Sequence, residues 1–186
     1  VHRFGDPQFT PLKDKPYLRE TDLDHVVRML EMVTVWEQEY PELAEKINMN
    51  TVRVMVILHD IGELITGDYP SDGPNRKTFR ARRAKYWEPR IGTILLGAVE
   101  DPDLREGARA LYQRFMDQNP NDTEALFARL IDKAEGDLAG TSLFNWKAQG
   151  LSAPPPWLVD HVAESLGKML TPAIALLATL QSEGAR

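Results

Sequence analysis

The sequence predicts an all-α fold, and three observations support this prediction. Apolar residues recur at helical spacing along most of the chain, whereas no alternating apolar–polar run of useful length indicates a strand. Proline, glycine and small polar residues cluster between the helical stretches. The 186 residues, with 42% hydrophobic and 27% charged side chains, are typical of a globular protein with a sizeable core. We therefore expect one domain over residues 1–186, a bundle of about five to seven helices.

The first half of the chain contains a predicted arm and two predicted helices. Residues 1–20 contain three prolines and little periodicity, so we expect an extended arm. A helix is predicted from Thr21 to about Tyr40, where Pro41 ends it. A second helix, from about Asn50 to Ile65, is apolar over most of its surface and should be central and buried. Turn formers follow it and predict a loop over residues 66–74.

The second half of the chain predicts helices separated by breaks. They are expected over residues 76–98, 101–116, 122–138 and 157–181. Prolines inside two of them, Pro89 and Pro172, predict bends. We expect residues 21–138 to form the core that carries a functional site, and residues 154–182 to form a C-terminal helical segment.

Charge and composition exclude several classes of protein. The formal net charge of −6 argues against binding to a nucleic acid polymer, which usually needs a broad basic face. No apolar stretch approaches the roughly 18–20 residues that span a bilayer, and no secretory signal is visible. The chain has no cysteine, so it forms neither disulfides nor thiolate metal sites. These features predict a cytoplasmic protein that does not bind membranes.

A metal site is predicted around the pair His59-Asp60, at the end of a strongly apolar run. Polar groups in such a place cost free energy unless something satisfies them, and a divalent ion satisfies both. His25 has apolar neighbours on the preceding helix, and Asp132 directly follows two apolar residues. Taken alone, a histidine on an apolar face is more often a hydrogen-bonded core residue, and Asp132 could pair with an arginine. Together, the four residues predict a site for one divalent ion, chosen from Mn, Co, Zn, Fe and Mg.

Glu63 is the predicted proton-transfer residue. On a continuous helix, it would lie four residues after His59 and three after Asp60, and therefore on the same face. There it would act as a general base or orient a water molecule. The alternative is a plain surface acid near a helix C-terminus, which the helix dipole disfavours.

Lys133 follows Asp132 and is expected to point away from the site.

These residues resemble the metal signature of the HD-domain phosphohydrolases, whose order is His … His-Asp … Asp. The resemblance covers residues from about 19 to 138. It is most similar to the branch that contains the bacterial 5′-deoxynucleotidases and the HD-domain-containing protein 2 group. In that branch, the doublet is followed by Glu, then by Gly-Asp and a nearby Pro. The matching segment here is His59-Asp60-Ile-Gly-Glu63-Leu-Ile-Thr-Gly67-Asp68-Tyr-Pro70.

The resemblance implies an all-α HD domain and further site residues. Asp68 would help to activate water or protonate the leaving group, although an acid after Gly67 is also common in a plain turn. Arg19-Glu20 resembles the segment that precedes the family's first histidine, so Arg19 is predicted to bind substrate. Lys77 and Arg80 begin a basic cluster after the loop and are predicted to reach a phosphate, while most of that cluster is expected to be a solvated face.

The resemblance also implies a reaction. The expected enzyme is a phosphoric monoester hydrolase, similar to a 5′-nucleotidase. It would remove phosphate from nucleoside 5′-monophosphates, with deoxynucleotides as the expected substrates, by attack of a metal-activated water. Two-metal members of this superfamily need additional histidines, and only four occur here, with His2 and His161 outside the expected site. One ion is therefore favoured.

Alternatives to this reading remain. They are a dNTP or alarmone (pyro/tri)phosphohydrolase and a catalytically silent binding or regulatory module. Apolar residues near the C-terminus, namely Ile174, Leu176, Leu177 and Leu180, make a homodimer a further prediction.

Overall fold

Helices are the whole regular structure of the part of the chain that the computed structural model describes, which is residues 22–66, 86–143, 152–153 and 156–183. Six helices have nine or more residues, and two are single turns, so the all-α prediction is confirmed within these ranges. In chain order, they are α1 (Asp22–Glu39), α2 (Pro41–Ala44), α3 (Met49–Leu58), α4 (Glu63–Thr66), α5 (Glu88–Leu96), α6 (Pro102–Asp117), α7 (Thr123–Leu143) and α8 (Pro156–Glu183). The predicted arm and most of the predicted loop lie outside the described residues.

Helix α1 buries one narrow face. Its first turn carries two acidic residues, Asp22 and Asp24, whose charges are favourable at a helix N-terminus. The buried residues His25, Met29 and Val33 follow one another at intervals of four, so they lie on one stripe. This stripe places a histidine in the same row as two core side chains, which explains how His25 becomes fully buried.

Helix α3 ends earlier than predicted. Asn48 caps its start by accepting a hydrogen bond from the backbone N–H of Thr51 at 3.1 Å. The helix stops at Leu58 instead of continuing to Ile65, and residues 59–62 form a turn before the single turn of α4. Two backbone hydrogen bonds between residues three apart form this turn: the Ile61 N–H donates to the Leu58 carbonyl, and the Glu63 N–H donates to the Asp60 carbonyl.

Gly62 gives the physical reason for the early end. A Cβ atom at this position would lie 2.6 Å from the carbonyl oxygen of Glu88, so the turn packs directly against the backbone of α5. That packing is a long-range contact, and it competes successfully with continuation of the helix. As expected, α3 is central, because it packs against α1, α6 and α7, but Val54 and Ile57 on its remaining face are exposed.

Helices α5 and α6 pack against each other through a glycine. Pro89 lies in the first turn of α5, where a proline is tolerated, so it marks a start and not the predicted bend. A Cβ on Gly92 would fall 2.3 Å from Cζ of Tyr112, which shows how closely the buried Tyr112 ring approaches α5. Asp101 begins α6 as predicted, because its carboxylate accepts the backbone N–H groups of Asp103 and Leu104.

Helix α7 is the centre of the described bundle, and it packs against α1, α3, α6 and α8. Asp122 caps it by accepting the backbone N–H of Ala125 at 3.0 Å. Over residues 123–136, its buried apolar residues are Ala125, Leu126, Phe127, Ala128 and Ile131. Such a nearly continuous run is expected for a helix that has neighbours on several sides.

Helix α8 runs along α7 and continues through Pro172. Of the four residues that suggested a homodimer, Leu176 is buried and Leu180 packs against the core. Ile174 and Leu177 are exposed, at 64% and 58%. Among the described residues, no helix is both long and apolar enough to cross a membrane.

Candidate metal centre

Three segments bring histidines and carboxylates together at one place in the bundle. Helix α1 supplies His25, the end of α3 supplies His59 and the adjoining Asp60, and α7 supplies Asp132. His25, His59 and Asp132 are buried, and each offers a donor atom within 4.8 Å of the others. Asp60 is partly exposed, with 19% of its side chain accessible. The structure thus places the four predicted ligands side by side.

The donor atoms of these residues face one another across short distances. The Nε2 atoms of His25 and His59 are 3.3 Å apart. Oδ2 of Asp60 is 2.9 Å from Nε2 of His59, and Oδ1 of Asp132 is 3.5 Å from Nε2 of His25. Two longer separations complete the group: 3.8 Å from His59 to Asp132, and 3.9 Å from His25 to Asp60.

These separations fit a shared cation. Two bonds of about 2.1 Å that meet at a tetrahedral or octahedral angle place their donor atoms about 3.0 to 3.4 Å apart. The gap of 3.3 Å between the two imidazole nitrogens lies in this range, and the other short separations lie close to it. When both imidazoles are neutral and their Nε2 lone pairs face each other, they repel, and a cation between them removes this repulsion. The mixed nitrogen and oxygen donors suit Mn, Fe, Co and Zn.

The other ring nitrogen of His59 fixes which nitrogen faces the centre. Its Nδ1–H donates to the backbone carbonyl of Val56 at 2.7 Å, so in the neutral ring it is Nε2 that carries the lone pair. Burial disfavours the charged ring, but the carboxylates of Asp60 and Asp132 outweigh it and raise the pKa of His59 to about 9. The surroundings of Nε2 are therefore strongly attractive to a cation.

His25 is held by a different partner, which sequence reasoning missed. Its Nδ1 donates to Oε2 of Glu135, a residue that is only 2% exposed. The other oxygen of Glu135 accepts from Nε of Arg28, which lies one turn after His25. Burial tends to raise the pKa of Glu135, but the hydrogen bonds and charges of His25 and Arg28 lower it. A sequence signal existed, because Glu135 follows Asp132 at the spacing of one helical turn.

Lys133 lies at the edge of the centre and does not point away as predicted. Its Nζ forms an ion pair with Oδ2 of Asp132, whereas Oδ1 of the same carboxylate faces the two histidines. Its side chain is 41% exposed, so it places a positive charge where solvent has access.

Glu63 begins α4, immediately after the turn that carries the doublet. Its backbone N–H donates to the Asp60 carbonyl at 2.8 Å, and its side chain is half-buried. Glu63 is thus placed near Asp60 by the turn, and not by the continuous helix expected from the sequence.

Tyr112 lies close to these acids. Burial and the nearby carboxylates of Glu88, Asp60 and Glu63 raise the pKa of Tyr112, which remains a neutral hydrogen-bond donor.

The remaining predicted site residues lie outside the part of the chain that the structure describes. They are Arg19, Asp68, Lys77 and Arg80.

Comparison with known proteins decides the family. The family model of the HD domain matches residues 10–142, which is well over half of the chain. The chain belongs to the HD-domain family. Searches of the curated proteins and of the solved structures find no match.

Membership gives the candidate centre a general chemistry. HD domains are usually metal-dependent hydrolases, and the fold is all-α. In this HD domain, His25, His59 and Asp132 form the candidate metal site, and all three lie inside the matched range. Glu135 lies inside it as well. The expected superfamily is thus confirmed, and the expected 5′-deoxynucleotidase branch stays a prediction.

Proposed function

We propose that this HD domain is a metal-dependent phosphohydrolase that releases phosphate from nucleoside 5′-monophosphates, with deoxynucleotides preferred. One observation carries the proposal: two buried imidazole nitrogens 3.3 Å apart meet the buried carboxylate of Asp132 and the partly exposed carboxylate of Asp60, at separations that suit one divalent ion. The family supports hydrolysis, and the resemblance of residues 59–70 to the 5′-deoxynucleotidase branch supports the substrate class.

His25, His59, Asp60 and Asp132 would hold the ion. When bound, a divalent ion lowers the pKa of a coordinated water and polarises a phosphoryl oxygen. Two histidines and two carboxylates would supply four ligands, so an ion that takes five or six ligands keeps a position for such a water. Three of the four ligands are buried, which strengthens their interaction with a cation.

The proton transfers are assigned to two acids. The carboxylate of Glu63 accepts a proton as a water oxygen bonds to phosphorus, and the bond from phosphorus to the sugar oxygen breaks. Asp68 donates a proton to that departing oxygen, so the products are inorganic phosphate and a nucleoside. Glu63 lies three residues after Asp60 and its backbone N–H donates to the Asp60 carbonyl, which supports its role, and the resemblance of Gly67-Asp68 supports the role of Asp68.

Positive charge would bind the phosphate. Arg19, Lys77 and Arg80 are proposed for this task on sequence grounds. Lys133 adds support from the described residues, because its ammonium group lies beside Asp132 and is partly exposed. A local cation of this kind allows an anionic substrate to approach despite the net charge of −6.

The test is a phosphate-release assay on the metal-stripped full chain. Mn²⁺ or Co²⁺ is added back, and a panel of ribo- and deoxynucleoside mono- and triphosphates is offered. We expect phosphate and nucleoside from monophosphates, no turnover without metal, and none from Asp132→Asn. The matched control is Asp117→Asn at the exposed end of α6, which should behave as the unmodified protein.

Other products would select the alternatives. Pyrophosphate or triphosphate as the product would identify a triphosphohydrolase acting on dNTPs or an alarmone. Metal binding without hydrolysis of any nucleotide would contradict the enzyme and favour a binding module.

We also propose that the protein forms a homodimer through α8. Five exposed apolar residues fall within about 80° around the helix axis at 100° per residue, and so form one stripe. They are Val159, Leu166, Leu170, Ile174 and Leu177. A stripe of this kind is self-complementary across a twofold axis. Light scattering should show a dimer that Ile174→Glu dissociates, whereas Leu104→Glu, also exposed but on α6, leaves it intact.

A further inference from the structure

We propose that Glu135 is a positioning residue that sets the metal affinity of the centre through His25, and that Arg28 holds Glu135 in place for this task. The inference deepens the proposed function and rests on its metal site. It starts from a repeated arrangement in two helices. In α1, His25 is followed one turn later by Arg28, and in α7, Asp132 is followed one turn later by Glu135.

The arrangement produces an inner and an outer pair. The inner residues, His25 and Asp132, face the centre with Nε2 and Oδ1 at 3.5 Å. The outer residues, Arg28 and Glu135, form an ion pair behind them. Glu135 connects the outer pair to the inner pair, because its second oxygen accepts a hydrogen bond from Nδ1 of His25. Glu135, which contacts the proposed metal ligand His25, is thus itself held in place by Arg28 of α1.

The hydrogen bond to Glu135 has two consequences for His25. It keeps the proton on Nδ1, so the lone pair of Nε2 points to the centre. A negatively charged acceptor also draws the Nδ1 proton and makes Nε2 a stronger electron-pair donor to a metal. His59 provides an internal comparison, since its Nδ1 donates only to the neutral carbonyl of Val56. The two histidine ligands therefore differ in strength, and His25 is the stronger.

Arg28 makes a buried carboxylate tolerable and keeps it in its place. Glu135 is 2% exposed, and an unpaired charge at such a position is costly. Nε of Arg28 binds Oε1, and this leaves Oε2 for His25. With both oxygens engaged, Glu135 stays behind His25 and does not compete as a direct ligand. Arg28 itself is 41% exposed, so part of its charge remains in contact with solvent.

A purely structural role for Glu135 makes a different prediction. The Arg28–Glu135 pair also links α1 to α7, so its loss would lower stability even if metal binding were unaffected. A second ion pair in the same bundle separates the two roles. Arg114 in α6 binds Asp122 at the start of α7, with Nε to Oδ2 at 2.8 Å and Nη2 to Oδ1 at 2.9 Å. Asp122 lies ten residues before Asp132, or about 15 Å along the helix.

The experiment is a Co²⁺ titration of the metal-stripped full chain. The visible absorption of Co²⁺ reports its ligands, and a competing chelator gives the affinity. We expect Glu135→Gln to weaken Co²⁺ binding by about 10- to 100-fold, which is typical of partners that orient a metal ligand. It should also change the Co²⁺ spectrum. Asp122→Asn should lose stability but keep both the affinity and the spectrum.

Arg28→Met gives a second route to the same answer. It leaves Glu135 in place but frees it, so we expect a smaller loss of affinity that is still larger than that of Asp122→Asn. This variant decides the matter if Glu135→Gln does not fold. Unchanged Co²⁺ affinity and spectrum in the folded variants would overturn the inference.

The outcomes also separate this inference from the proposed function. If the unmodified protein binds no Co²⁺, the metal site itself is wrong, and both ideas fall. If the unmodified protein binds Co²⁺ and the variants bind it weakly, but no nucleotide is hydrolysed, the role of Glu135 stands and the phosphohydrolase falls.

Discussion

The hydroxyl of Tyr112 donates a 2.9 Å hydrogen bond to the backbone carbonyl oxygen of Glu88. The same oxygen lies 2.6 Å from where a Cβ atom would be on Gly62. The turn between the metal doublet and Glu63 therefore rests on a carbonyl group that a buried tyrosine holds in place. Gly92 completes this arrangement, because it leaves space for the Tyr112 ring.

Replacing Gly62 should disturb both stability and reaction rate. In Gly62→Ala, the new methyl group meets the backbone of Glu88, and backbone cannot move aside as a flexible side chain can. We expect the free energy of unfolding to fall by about 1 to 3 kcal/mol, as is typical of overpacking. Because Glu63 is the next residue, the rate of phosphate release should fall as well. Urea unfolding and a phosphate assay measure the two effects.

Gly107 is the matched control for this substitution. It lies inside α6, and a Cβ atom there would have no neighbour within 4 Å. Gly107→Ala should raise the free energy of unfolding by up to about 1 kcal/mol, since alanine favours a helix over glycine. An equal response of both glycines to alanine would contradict the close packing at Gly62.

Removing the hydroxyl of Tyr112 should cost one buried hydrogen bond. Tyr112→Phe keeps the ring against Gly92 but leaves the Glu88 carbonyl without this donor. We expect a loss of about 1 kcal/mol in the free energy of unfolding. Tyr40→Phe serves as the comparison, because Tyr40 is 54% exposed, and it should change stability very little. A Tyr112→Phe protein as stable as the Tyr40→Phe protein would show that the bond contributes nothing.

The ion pair at the start of α7 predicts a pH-dependent stability. Burial tends to raise the pKa of Asp122, but the hydrogen bond and charge of Arg114, with the Ala125 N–H, lower it below the ordinary value of 3.8. A lowered pKa in the folded state stabilises the protein above the unfolded pKa, and this contribution is lost as the pH falls through the folded pKa. Asp122→Asn should therefore destabilise at pH 7, and the difference should shrink below about pH 4. Urea unfolding at several pH values measures it, and a gap that widens in acid would refute the sign.

Glu63→Gln should separate metal binding from catalysis. The substitution keeps the size of the side chain but removes its ability to accept a proton at neutral pH. We expect Co²⁺ affinity to stay unchanged, while the rate of phosphate release falls by about 10²- to 10⁴-fold, as is typical of losing a general base. Glu106→Gln, exposed on α6, should keep the full rate. Turnover that survives in Glu63→Gln would remove this residue from the mechanism.

Metal should stabilise the folded chain against heat. A ligand that binds only the folded state adds about 2.7 kcal/mol at a concentration of 100 times its Kd. The melting temperature should therefore rise with Co²⁺ concentration in the unmodified protein, and much less in Asp132→Asn. Calorimetry with and without a chelator measures this difference. A melting temperature that is independent of metal would contradict the proposed centre.

The sequence predicted what depends on near neighbours along the chain. The helix starts at Asp101 and Asp122 follow from their capping side chains, which act within three residues. His25 and Asp132 were recognised because each is a polar residue in an apolar stretch. An apolar stretch indicates that its residues are buried, and a buried ionisable group costs free energy unless a partner such as a metal ion compensates it.

What the sequence did not predict depends on distant contacts. The early end of α3 results from packing of Gly62 on Glu88, which belongs to another helix. Glu135 was missed because its partner His25 lies 110 residues away, and its spacing of one helical turn from Asp132 does not by itself show that it is buried. Lys133 was expected to point away from the centre, but its long side chain turns back to the neighbouring carboxylate.

The wide spacing of the donors along the chain also fixes when the centre is completed. A nascent chain that has left the ribosome as far as the turn after α3 carries both imidazoles and Asp60, but it still lacks Asp132 and Glu135, since both belong to α7. The proposed ion would meet its full set of donors only after α7 has been synthesised and has packed against α1 and α3. Loading of the proposed metal would therefore be a late step in the biogenesis of this protein.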